Sequence, residues 1–75
     1  MKKYFENKDN VSNKFWEINL KGSQVNLTYG KIGIKNPATI EKKFLGENAS
    51  ADAKKFAEKK INEKIRKGYL ELRKF

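Results

Sequence analysis

The chain has no cysteine and no histidine, one proline, one methionine, and half as many acidic residues as basic ones. Each scarcity excludes something. Without cysteine there is no disulfide and no thiolate metal site. Without histidine the commonest general base, the Cys–His nucleophile pairs and most zinc ligand sets are gone as well. The carboxylates are scattered: Glu17 and Glu41 fall on expected strands, Glu58 and Glu63 on the solvent side of an expected helix. No spacing converges two of them on a cleft, so each reads as a surface partner for a nearby lysine. The expectation is a binding module and not an enzyme, with no catalytic residue, no metal ligand and no cofactor.

A long apolar run is also missing. Met1-Lys2-Lys3 is followed by Tyr4-Phe5-Glu6-Asn7-Lys8, which is neither the core of a signal peptide nor the start of a membrane span. This points to a cytoplasmic protein that does not engage a membrane, a reading with which the absence of cysteine is compatible. Low-complexity tracts, linkers and internal repeats are absent too, so residues 1–75 read as one domain. A domain of this size buries only about 60% of the surface its unfolded chain exposes. One core must therefore carry the fold, and five Phe, three Tyr and one Trp supply the bulk for it.

What the chain has in excess is positive charge. Lys and Arg number 18 against 9 Asp and Glu, a formal net charge of +9, and all but Arg66 and Arg73 are lysine. That balance suits an anionic partner such as nucleic acid, a membrane surface or an acidic protein; an excess of lysine also serves simply to keep a small domain soluble.

Periodicity supplies the elements. "KKYFEN" is a short candidate strand and "KDNVSN" (8–13) a polar loop. "KFWEINL" (14–20) sets Trp16, Ile18 and Leu20 on one face, which is strand alternation. "KGS" (21–23) closes a hairpin around Gly22. "QVNLTYGKIGI" (24–34) continues the alternation through Val25, Leu27 and Tyr29, then resumes out of phase at Ile32 and Ile34, so a bulge or bend is expected at Gly30. "KNPA" turns the chain, and "TIEKKFLG" (39–46) forms the next strand, anchored by Ile40 and Phe44. From Ala49 to Lys67 the apolar residues Ala49, Ala53, Phe56, Ala57, Ile61 and Ile65 recur at helical spacing. Asn48 or Ser50 is placed to cap the start, Asp52 suits the positive end of the dipole, and Gly68 stands where a left-handed cap is needed. "YLELRKF" (69–75) alternates again as a last strand. The fold class is α+β: an antiparallel sheet of four to five strands with one amphipathic helix packed across it. Because that helix is the one candidate to cover the sheet, its apolar stripe is core rather than membrane anchor.

The stretch "LTYGKIGIKN" (27–36) is the candidate site. Gly30 and Gly33 permit a bend and a close approach of backbone to a ligand. Tyr29 beside Lys31 suits a sugar or base edge next to a phosphate. Tyr29 has a second available role, packing in the core with Val25 and Leu27. Trp16 shares a face with Ile18 and Leu20 and is assigned to the core.

Taken in order, "FWEINL…VNLTYGKIGI…FLGENASADAKKFAEKKINEKIRKGYLEL" resembles the WGR domain, a module of DNA-dependent poly(ADP-ribose) polymerases and of bacterial WGR proteins. The resemblance runs from about Lys3 to Leu72. It rests on Phe15-Trp16, the aromatic-Gly-cation-Ile-Gly box at 29–33, the Ala53/Phe56 helix start and "KGY" at 67–69. Where the family name has Trp-Gly-Arg, this chain has Tyr29-Gly30-Lys31. In the polymerases the tryptophan packs on a sugar at a DNA break, and the arginine couples the DNA to other domains. The resemblance thus implies a nucleic-acid-binding site at Tyr29, Gly30, Lys31 and Gly33. By position, Lys35 just past the second glycine joins it, and Lys42 and Lys43 on the neighbouring strand extend the positive surface; each of these three lysines has the alternative reading of a solvated surface charge. Lys31 keeps the charge but not the planar two-pronged fork of arginine. The expected partner is DNA or another nucleic acid, contacted at backbone or ends with little sequence specificity. The alternative is a protein-interaction module docking an acidic partner or peptide. In either case the chain is expected to be a monomer.

Overall fold

The computed structural model describes residues 1–9, 11 and 13–73. Five strands and one helix follow in the order β1 (Lys2–Lys8), β2 (Asn13–Lys21), β3 (Gln24–Lys31), β4 (Ala38–Lys43), α1 (Ala49–Arg66) and β5 (Leu70–Leu72). The sheet order is β4-β3-β2-β1-β5, and every neighbouring pair is antiparallel. This is the α+β architecture expected from the periodicities. Of the expected last strand, Lys74 and Phe75 lie outside the described residues, as do Asn10 and Ser12 of the first loop.

The β2–β3 hairpin sets the register. Lys21 pairs with Gln24, leaving Gly22 and Ser23 as a two-residue turn. Gly22 takes φ +56°, the positive value required of the first central residue in a type II′ turn. From that turn the pairs count outward as Leu20–Val25, Ile18–Leu27, Trp16–Tyr29 and Lys14–Lys31. Cross-strand partners share a face, and β1 adds Phe5 opposite Trp16.

Onto this face the helix lays Ala53 and Ala57, both fully buried, over Phe5, Trp16, Ile18, Val25 and Leu27. Alanine at these two positions lets helix and sheet approach closely, and Phe44, Phe56, Ile61 and Tyr69 fill the margins. Trp16 is 2% exposed, so it is a core residue, as its alternation implies. Phe44 packs on Phe56 with ring centroids 5.6 Å apart.

Four expectations need correction. Asn48 stands at the helix N-cap but makes no side-chain capping hydrogen bond. Gly30 pairs with Phe15 inside an uninterrupted β3 ladder, so there is no bulge there. The phase change arises because the strand ends at Lys31. Ile34 N–H then donates to the Lys31 carbonyl at 3.1 Å, Ile32 N–H to the Asn13 carbonyl at 3.0 Å, and Gly33 turns the chain with φ +89°. Ile40 is not an anchor, being 47% exposed, since β4 is an edge strand with all six residues exposed. Ile65 is likewise 53% exposed. At the end of the helix it is the Lys64 stem that turns toward the sheet, its Nζ 5.7 Å from the Trp16 ring centroid.

Candidate nucleic-acid interface

Tyr29 stands at the end of the core row, one cross-strand pair beyond Ile18–Leu27. There the helix no longer covers it, and it is 38% exposed. It lines an open cleft of about 290 Å³ with Lys14, Phe15, Gly30, Lys31, Lys64 and Tyr69. None of these described lining residues is acidic. A second cleft wraps the other side of the ring, lined by Trp16, Leu27, Ile40, Lys60, Glu63, Lys64 and Lys67.

Three separate elements build this rim. Lys14 and Lys31 are direct partners across β2 and β3, two like charges held side by side, an arrangement that costs free energy until an anion arrives. The helix supplies Lys64, whose pKa is pushed below the lysine value of 10.5 by burial first, then by the charges of Lys67, Lys60 and Lys14. The helix C-terminus supplies Tyr69. Gly68, at φ +95°, is the left-handed residue of a Schellman cap: Tyr69 N–H donates to the Lys64 carbonyl at 3.0 Å and Gly68 N–H to the Ile65 carbonyl at 3.1 Å. That reversal brings the Tyr69 ring to 5.2 Å from Lys64 Nζ, a cation–π separation.

Of the residues singled out in the sequence, Tyr29, Gly30 and Lys31 come together here. Gly33 does not. It lies on the opposite face of the sheet, beside Ile32, Ile34 and Pro37. Lys35 is exposed in the turn beyond it and does not line the cleft. Lys42 and Lys43 do not extend the surface beside the box. They pair with Val25 and Gln24, at the other end of β3, and Lys42 Nζ sits 4.8 Å over the Phe56 ring. Lys14 and Lys64 are not among the site residues read from the sequence, and Tyr69 enters there only within the "KGY" that carries the resemblance. Lys14 was within reach of sequence reasoning, two residues before Trp16 and opposite Lys31 once the turn length is known. No local signal marks Lys64.

The sequence model of the WGR domain matches residues 1–75. This chain belongs to the WGR domain family. It is 35% identical over 69 residues to Protein YehF of Escherichia coli K12, a match spanning 92% of this chain and 24% of that protein. A crystal structure of a Bacteroides fragilis protein superposes with a TM-score of 0.85 at 40% identity, covering 96% of this chain and 19% of the other. The chain therefore spans about a quarter or less of the relatives it matches. The WGR domain is a small binding domain of a family associated with nucleic-acid binding. Among the described residues no helix is long and apolar enough to cross a membrane.

Proposed function

We propose that this WGR domain binds DNA through the Tyr29 rim, contacting backbone or ends with little sequence specificity, as a monomer and without catalysis. One observation carries the reading: a half-exposed aromatic ring sharing a cleft with Lys14, Lys31 and Lys64 and with no carboxylate among its described lining residues. An aromatic face accepts a sugar or base of any sequence, and ammonium groups neutralise phosphates as point charges. Little sequence specificity follows from what the rim lacks. It presents no arginine fork for guanine, and the helix has its apolar face committed to the sheet, so it is not free to enter a groove.

The test is a mobility-shift panel of blunt duplex, nicked duplex, single-stranded DNA, RNA and heparin, run with the parent protein and Tyr29→Ala. Retention of DNA that weakens in Tyr29→Ala supports the reading. Binding of heparin as strong as that of DNA and indifferent to Tyr29 would reduce the rim to a generic polyanion surface. Retention of an acidic polypeptide with no retention of DNA would assign it to protein docking.

A further inference from the structure

The sheet face turned away from the helix carries a second site of the opposite character. Tyr4, Phe15, Glu17 and Thr28 form its floor, and Ile32, Gly33, Ile34 and Pro37 its wall, around an open cleft of about 360 Å³. The wall exists because the segment after β3 folds back over the sheet. Gly30 permits that approach: a Cβ there would lie 3.2 Å from Ile34 Cγ2. The Tyr4 and Phe15 rings stack at 5.8 Å. Ile34 is 46% exposed on one side of them, and Leu72, which pairs with Tyr4, is 42% exposed on the other. An apolar strip thus runs across the face on which, among the described residues, no helix packs, with Tyr4 itself buried in its floor.

Charge makes the strip selective. Glu17 lies between Tyr4 and Thr28 in the cross-strand register and is half-buried. Glu6, on the same face, accepts a hydrogen bond from the Tyr4 hydroxyl at 2.7 Å and pairs with Lys8 at 3.4 Å. Glu41 pairs with Lys43 at 3.5 Å. No ion pair or side-chain hydrogen bond among the described residues engages the Glu17 carboxylate. The lysines of this face, Lys2, Lys8, Lys21 and Lys43, stand at the strand ends. In a chain of net charge +9, the middle of this face is therefore negative and apolar. A phosphate or an anionic lipid headgroup would meet Glu17 unfavourably, whereas a cation beside an aliphatic group would satisfy it. In the matched relatives the region similar to this chain makes up 24% and 19% of longer chains, where it has other polypeptide segments beside it, and a polypeptide is the occupant of fitting size and chemistry.

We propose that this cleft docks a polypeptide segment presenting an aliphatic side chain next to a lysine or arginine. The aliphatic group seats on Phe15, Ile34 and Pro37, and the cation pairs with Glu17. The face is independent of the Tyr29 rim, so the domain can hold nucleic acid on one side and a basic-apolar segment on the other.

The experiment is peptide selection by phage display on the immobilised protein. The enriched peptide is then synthesised with a fluorescent label and titrated by anisotropy against the parent, Glu17→Gln and Ile34→Ser, with chemical-shift mapping on the ¹⁵N-labelled parent. A consensus of an aliphatic residue within a few positions of Lys or Arg is expected. Glu17→Gln, which keeps shape and neutralises charge, should weaken binding about tenfold or more, as loss of a hydrogen bond to a charged group does. Shifts should fall on Glu17, Thr28 and Ile34, and affinity for duplex DNA should be unchanged in Glu17→Gln. No consensus, an acidic consensus, undiminished binding to Glu17→Gln, or shifts confined to Tyr29 and Lys31 would overturn the proposal. So would a dimer in sedimentation that Ile34→Ser abolishes, which would assign the face to a second copy.

Discussion

Phe15 and Gly30 are direct cross-strand partners, and Phe15 contributes to the clefts on both faces of the sheet. Gly30 opposite it has no side chain, so the Ile34 Cγ2 methyl can settle 3.2 Å from where a Cβ would stand, closer than a side chain comfortably allows. The glycine of the box is thus a packing requirement on the face away from Tyr29. Gly30→Ala should destabilise the fold by about 1–3 kcal/mol, the range for backbone held where a side chain is disfavoured, since its φ is +156°. Part of that loss comes from the Ile34 contact. In urea melts, the double variant with Ile34→Ala should recover roughly 0.5 kcal/mol or more relative to additivity. Strict additivity would show that Ile34 does not depend on Gly30.

Trp16 contacts Phe5 at 5.5 Å and is 2% exposed. Trp16→Ala should cost about 3–5 kcal/mol, a large share of a total of roughly 5–15 kcal/mol. The expected outcome is a strongly lowered midpoint, or failure to fold at 37 °C. Parental melting would remove Trp16 from the core.

Tyr29→Ala should change stability by less than about 1 kcal/mol, since the ring is more than a third exposed at the sheet margin. DNA affinity should fall by about 1–3 kcal/mol, the worth of a stacked aromatic. A destabilised variant that keeps parental affinity in its folded fraction would assign Tyr29 to the core instead.

Lys14→Ala and Lys31→Ala should each weaken every DNA sequence alike and lower the magnitude of the salt slope by about one, as loss of one phosphate contact does. Lys31→Arg should preserve the slope. An unchanged slope in both alanine variants would place the bound phosphates elsewhere.

The Tyr4 phenol is pushed up from 10.0 to about 12, by burial first and then by the hydrogen bond to Glu6 and the charges of Glu6 and Glu17. The folded state therefore holds a proton that the unfolded chain releases earlier. The stabilisation is fully present below pH 10.0 and is lost as pH rises through about 12. Stability of the parent should fall across that window, and Tyr4→Phe should flatten the fall. An equally steep decline in Tyr4→Phe would exclude this group as its cause.

Much of this protein was legible in the chain itself because the relevant forces are local. Alternation along residues 14–20 and 24–29 identifies the strand faces, the spacing of Ala53 and Ala57 identifies the helix face, and Gly22 and Gly68 mark the turn and the cap because only they tolerate positive φ without strain. The two-residue turn even implies that Lys14 meets Lys31. Tertiary structure alone decided the rest. Lys64 reaches Trp16 and Tyr69 only because the helix crosses the sheet at one angle and its Schellman cap reverses the chain. Ile32 and Ile34 read as strand because their neighbours alternate, yet where the ladder stops depends on the hydrogen bonds that their N–H groups donate to the Asn13 and Lys31 carbonyls, which no local pattern encodes. The placement of β5 beside β1 likewise leaves Leu70 and Leu72 on the open face and Glu71 over the helix side with Lys3, at 3.6 Å. Period-two alternation says which residues share a face, but only packing between distant segments chooses the face that is covered.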